Sequence, residues 1–331
     1  MDNTNLNARI GNAIERVRST LQGQAPFLSR EVGCWIREIS PNGDPSALFT
    51  HVRMFPILQM PEWLVDTLPI TPDFEFQQSL IHSSVNGYYY IRLIDDVMDG
   101  DRQRSLELSI LPAAGFFCSQ FQSFYHSHFP GQHGFWRMFF ELWTASCESA
   151  AHDSGLGSVD WPAFEKVSSR KYSAAGIPVA AACCYYDRPE LIAPWLEFTN
   201  DLARWSQMLD DLLDWHCDRR DQRATYFLSE GERRRRTGED LDEWVAREGW
   251  VWAFDLLEQW MSALHARAQE LGSISLQVYL DQRTTWLREQ KSDMLKGFAA
   301  ISQLAGILEQ VPLLSDTRSI EEGVSGYNPQ L

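Results

Sequence analysis

Two aspartate groups of identical spacing stand 115 residues apart in this chain: Asp95-Asp96-Val97-Met98-Asp99 and Asp210-Asp211-Leu212-Leu213-Asp214. Both read D-D-x-x-D, and each follows a stretch with the pattern of buried helix. On a helix, residue i+4 lies about 40° around the axis from residue i, and i+1 about 100° away. Asp95 and Asp99 therefore share a face with Asp96 beside them, and Asp210, Asp214 and Asp211 repeat the arrangement. Mg²⁺ prefers oxygen ligands, keeps several waters, and is usually shared between one or two carboxylates and substrate phosphates. Two such faces opposed across a bundle would clamp metal ions and a diphosphate. A single copy reads as an exposed acidic helix end. Two copies, bracketed by apolar residues in RLIDDVMD and QMLDDLLD, point to the mouth of a cavity.

The elements that must position these acids read as helical almost throughout. Residues 5–22 form a polar amphipathic opening, and 40–45 a loop rich in Pro, Asn and Gly. Residues 74–99 read as one long helix with the first acidic motif at its C-terminal end and Gly100 placed to stop it. Residues 105–127 and 133–151 read as two more, separated at Pro130-Gly131. Asp160 is placed to cap the next helix, with Pro162 in its first turn. That helix runs to about Tyr186, with a break expected near Gly176-Ile177-Pro178. The second motif lies on 190–217. A polar stretch, 218–240, follows, and 241–271 and 274–311 fit two further helices. There is no strand alternation, repeat or linker. The expected fold is all-α: a single antiparallel helical bundle over 1–314 with a central active-site cavity. A disordered tail is expected over 315–331.

Composition narrows the function. Lys and Arg total 29 against 45 Asp and Glu, a net charge of −16. A nucleic-acid backbone would be repelled, and an anionic substrate needs metal or local basic residues to reverse the field. Cys34, Cys118, Cys147, Cys183, Cys184 and Cys217 show no C-x-x-C spacing and read as reduced thiols of a cytoplasmic protein. No apolar signal region is expected in MDNTNLNARIGNAIERV, and no apolar run reaches the ~18 residues of a membrane span.

On its paired acidic motifs the chain resembles the class I isoprenoid synthases, the superfamily of trans-prenyltransferases and terpene cyclases. The resemblance covers roughly residues 74–300. It implies an antiparallel helical bundle with facing aspartate-rich motifs, three Mg²⁺ ions, and ionisation of an allylic diphosphate; homodimers are common in the superfamily. Gln207 falls three residues before Asp210, similar to the F-Q-x-x-D-D pattern, with Ser206 where the phenylalanine stands. Lys171, in KYSAAG, resembles the family's diphosphate-binding lysine. Arg104 stands at the first arginine of the R-R-G segment, which contacts the allylic diphosphate. Tyr90, five residues before Asp95, sits where prenyltransferases use bulk to limit chain length.

The departures matter as much. Chain-elongating prenyltransferases carry G-G-K-x-x-R-P upstream, a histidine seven residues before the first aspartate, and a complete R-R-G. Here the first is missing, Tyr88 replaces the histidine, and Ser105 and Leu106 follow Arg104. The allylic half of the site is retained and the isopentenyl half is not. The resemblance thus implies a terpene synthase on a prenyltransferase-type scaffold, acting on a fifteen- or twenty-carbon diphosphate. The alternatives are a prenyltransferase, elongating or head-to-head, and a catalytically degenerate partner subunit. The N-x-x-x-S/T-x-x-x-E pattern usual in cyclases is not found.

Other residues carry weaker signals. Tyr89, Tyr90, Phe116, Phe117, Tyr185 and Trp205 are candidates for a cation-stabilising wall, with plain core packing the stronger expectation. Asp218 reads as a helix-end charge that could extend the second cluster. Arg219, Arg220 and Arg223 are candidates to close over a diphosphate, with Arg219 the substrate-binding candidate. Arg233 to Arg236 read as a solvated loop. Arg283 and Arg288 read equally as diphosphate contacts or exposed charges. His152-Asp153 raises a phosphohydrolase reading, and His216-Cys217 a zinc reading; neither has the further partners it needs.

Overall fold

Apolar residues recurring every three to four positions must be buried together, and along this chain they build helix after helix. The computed structural model describes residues 3–98, 108–153 and 157–310. Its α-helices are α1 (Asn3–Gln24), α2 (Pro26–Ile39), α3 (Ala47–Thr50), α4 (Met60–Val65), α5 (Phe74–Met98), α6 (Pro112–His128) and α7 (Phe135–Asp153). There follow α8 (Trp161–Lys171), α9 (Gly176–Tyr185), α10 (Ile192–Arg220), α11 (Tyr226–Arg234), α12 (Leu241–Trp244), α13 (Trp250–Glu270) and α14 (Ile274–Gln310). Among the described residues there is no strand, and the architecture is all-α. Residues through Leu287 form one compact unit, and those from Arg288 a second.

The motif-bearing helices sit at the centre of the first unit. α5 packs against α6 and α1, and α10 against α8, α11 and α13. Ile10, Val17, Trp35, Phe49, Val85, Tyr89, Leu93 and Phe117 interlock in the core around α5. α5 and α6 approach closely because Gly87 has no side chain: a Cβ there would lie 2.8 Å from the Phe121 ring. Ser83, one turn earlier, donates to the Phe121 carbonyl at 2.8 Å and fixes the same crossing. Gly87→Ala is expected to cost about 1–3 kcal/mol through overpacking. Urea unfolding would read this as a lower midpoint at unchanged slope.

Local chemistry decides several boundaries. Asp160 accepts the Ala163 N–H at 2.9 Å and caps α8, with Pro162 in the first turn. The break after α8 comes earlier than its sequence indicates. Ser173–Ala175 form a 3₁₀ turn, and Gly176-Ile177-Pro178 open α9 instead of interrupting a helix. Pro178 is tolerated there because the first turn needs no donor from it. The polar stretch contains α11, whose first turn is capped by Thr225 through the Leu228 N–H. Arg233 and Arg234 pair with Glu230, and Arg235 with Glu232, so these arginines form an ion-paired helix end. Asp99, Arg104 and residues 315–331 lie outside the described residues.

Candidate active site

The C-terminal half of α10 carries Gln207, Asp210, Asp211, Asp214 and Asp218 along one face, at the spacing one helical side allows. Across from it stand the last two turns of α5, with Arg92 and Asp95. These residues line a single cavity of about 570 Å³, together with Asp153 of α7 and Lys171 of α8. Tyr172, just after α8, and Asp221, Gln222 and Arg223, between α10 and α11, complete its polar wall. Met98, Ala150, Val159, Phe164, Val167 and Tyr226 supply apolar surface. The two acidic motifs thus meet at one opening.

The paired aspartates of each motif divide their work. Asp96 is buried and accepts the Trp35 indole N–H at 2.9 Å and the Arg92 guanidinium at 3.0 Å. It is not among the cavity-lining residues, and ties the end of α5 to α2. Asp95 does line the cavity. Asp211 is buried, and accepts from the Gln207 amide at 2.8 Å and from the Tyr226 N–H at 3.1 Å. It therefore anchors the start of α11, and Gln207 serves Asp211 while lining the same cavity. Asp210 is half-buried, with the Tyr172 hydroxyl 3.5 Å from its Oδ2. Asp214 is exposed at the lip.

Three other candidate residues stand away from the cavity lining. Tyr90 is not on the cavity wall; it packs on Trp143, ring centres 5.5 Å apart. Arg219 is turned to the surface, where Asp240 and Asp242 hold it at 3.1 and 2.6 Å. Arg283 is neither a cavity residue nor an exposed charge. It is fully buried, donates to the Arg53 and Met54 carbonyls, and lies over Trp205 at 4.5 Å. Of the aromatic candidates, Tyr89, Phe117 and Trp205 are core, and none of the six lines the cavity. The aromatic surface there comes from Phe164, Tyr172 and Tyr226. Asp153, read in sequence with His152, faces the cavity, whereas His152 is exposed. Among the described residues no group of three or more His, Cys, Asp or Glu is gathered closely enough to hold a metal unaided.

Seven aspartates against one lysine and two arginines leave the cavity strongly negative. Burial, opposed by Arg283, raises the Asp210 carboxyl from 3.8 to about 6. Burial raises Asp211 to about 7 against the pull of Gln207, and burial plus Asp214 raise Asp218 to about 6. Asp218, half-buried and lining the same cavity, belongs to the cluster and is not a solvated helix end. An all-oxygen donor set of this charge fits Mg²⁺, which keeps waters and shares ligands with phosphates, so no close carboxylate cage is required. Asp95, Asp210, Asp214 and Asp218 are the lining carboxylates that could contribute ligands to such an ion.

The same shifts set a pH dependence. These three folded-state values lie above the unfolded value of 3.8. Their stabilising contribution is therefore complete below about pH 4 and lost as pH rises through about 6–7. Without metal, Tm is expected to fall as pH rises from 5 to 7.5, and added Mg²⁺ to raise Tm more at pH 7.5 than at 5.5. Scanning fluorimetry across that pH range checks both.

The fold has a solved counterpart. A polyprenyl synthase from Roseobacter denitrificans superimposes with a TM-score of 0.57, covering 83% of this chain and 99% of that one, at 12% identity. The chain thus shares its all-α fold with that synthase. No family model matches the sequence, and no curated protein matches it. No helix among the described residues is long and apolar enough to cross a membrane.

Proposed function

We propose that this protein is a Mg²⁺-dependent class I terpene synthase. It ionises a linear allylic prenyl diphosphate of fifteen or twenty carbons and releases a terpene and diphosphate. The observation that carries the reading is the meeting of Asp95 with Asp210, Asp211 and Asp214 on one cavity that also holds Lys171. Bound Mg²⁺, three ions by family resemblance, would supply positive charge for the leaving diphosphate. Lys171, Arg92 and Arg223 line the same cavity and would meet its remaining oxygens. Asp211 keeps α11 closed against α10, so that Tyr226 stays on the wall. Phe164 and Tyr226, stacked at 4.7 Å, give the cavity an aromatic face that would be worth about 0.5–2 kcal/mol to an allylic cation left beside it by the diphosphate.

The missing isopentenyl-binding residues favour a cation that reacts within its own chain or with water. Tyr88, at the position of the prenyltransferase histidine, packs on Phe49 with ring centres 4.9 Å apart. The second reading is a prenyltransferase, favoured by the fold likeness to a polyprenyl synthase. The two separate on incubation with Mg²⁺ and ten-, fifteen- or twenty-carbon prenyl diphosphates, each with and without isopentenyl diphosphate. Gas chromatography with mass detection is expected to find a cyclic hydrocarbon or alcohol without isopentenyl diphosphate. A longer linear diphosphate formed only in its presence would make the protein a prenyltransferase.

A further inference from the structure

We infer that Asp153 is an internal stand-in for ligand phosphate, holding Lys171 until a metal-loaded diphosphate displaces it. This deepens the reading above and rests on it. Lys171 ends α8, and its Nζ donates to Asp153 Oδ2 at 3.0 Å. Asp153 ends α7. Both side chains are half-buried and both line the 570 Å³ cavity.

The pair is asymmetric in what holds it. The C-terminal end of a helix carries partial negative charge, which suits a lysine and opposes an aspartate. Lys171 is well placed at the end of α8, while Asp153 is poorly placed at the end of α7 except for its lysine. The Lys171 backbone is pinned, because Ser146 of α7 donates to its carbonyl at 2.7 Å. Its ammonium is carried on a flexible four-carbon stem and can swing between anions. It needs no new anchor to exchange a carboxylate for a phosphate.

The rest of the cavity decides when that exchange occurs. Six further aspartates line it. Without metal they repel a diphosphate and leave Lys171 with Asp153. With Mg²⁺ on the carboxylates the diphosphate becomes the stronger partner, and Lys171 transfers to it. Asp153 thereby competes with the anion for Lys171 and adds to the dependence on metal loading that the six other aspartates impose.

The test is isothermal titration of the full-length protein with inorganic diphosphate, with and without Mg²⁺. Asp153→Asn keeps the shape and removes the charge. It is expected to bind diphosphate with Mg²⁺ about fivefold more tightly than the wild type, the size of a partly exposed ion pair. Without Mg²⁺ both proteins are expected to bind diphosphate far more weakly, because six aspartates remain to repel it, with the variant the tighter of the two. Lys171→Met should weaken binding and abolish most of the gain when combined with Asp153→Asn. An unchanged or weaker affinity in Asp153→Asn overturns the inference. So does a gain that persists fully in the double variant, which would be a bulk charge effect. If the wild type fails to bind diphosphate even with Mg²⁺, the reading of the site itself fails.

Discussion

Asp210→Asn is expected to lower Mg²⁺-dependent release of diphosphate from an allylic prenyl diphosphate by about 10²–10³-fold, the loss typical of removing one group that stabilises transition-state charge. The substitution keeps size and hydrogen-bonding capacity and removes the negative charge that a cation would need. The fold should not suffer. Burial raises the Asp210 carboxyl to about 6, so near neutral pH its charge opposes the folded state. The variant is therefore expected to equal or exceed the wild type in metal-free Tm while losing turnover. Asp95→Asn, from the opposite wall, should produce a comparable loss and a higher Mg²⁺ requirement. Diphosphate release and scanning fluorimetry on the same samples test the two signatures together. Loss of turnover accompanied by a fall of many degrees would mean that Asp210 serves the fold. Unchanged turnover in both variants would remove the catalytic reading of the cavity.

Asp96→Asn should behave differently, because the two aspartates of the first motif are adjacent in sequence and opposite in circumstance. Its carboxylate is committed to Trp35 and Arg92, away from the cavity. That division was not legible in the motif. It depends on an indole 61 residues away, and helix geometry alone places Asp95 and Asp96 equally near the rim. The same limit applies to Gln207 and Arg219, whose partners come from neighbouring side chains and from α12. The long helices were legible, since α5 and α10 each sustain a helical apolar pattern through their acidic ends. The cap at Asp160 was legible too, because a short acceptor followed by proline has few other uses. α11 was not, since its arginines and glutamates mask a buried Tyr226, Phe227 and Leu228. The break after α8 was misplaced because proline marks a permissible helix start as readily as an interruption. The meeting of the two motifs follows from their pairing; the inclusion of Asp153 and Tyr172 follows only from how α7, α8 and α10 pack.

The largest stability effect is expected far from the cavity, at Glu62. Arg9 of α1 donates to it through both terminal nitrogens, at 2.8 and 2.9 Å, and each residue is 3% exposed. The pair fastens α1 to α4, and Arg9 also lies over the Phe74 ring at 5.0 Å. Glu62→Ala would leave the guanidinium buried without its counter-charge, at a cost of about 3–5 kcal/mol. At about 2–4 °C per kcal/mol for a chain of this class, the fall in Tm should exceed roughly 6 °C. The intact pair is nevertheless not a large net source of stability. Burial holds the Glu62 carboxyl above its ordinary value despite the adjacent arginine, so the attraction only partly offsets the loss of water. Replacing both partners, Arg9→Met with Glu62→Leu, should therefore recover most of the loss, because no unpaired charge remains. Thermal and urea unfolding of the two single variants and the double variant measure the coupling. Single variants within about 0.5 kcal/mol of wild type, the range of ordinary surface substitutions, would show that the pair is hydrated and does not fix α1 to α4.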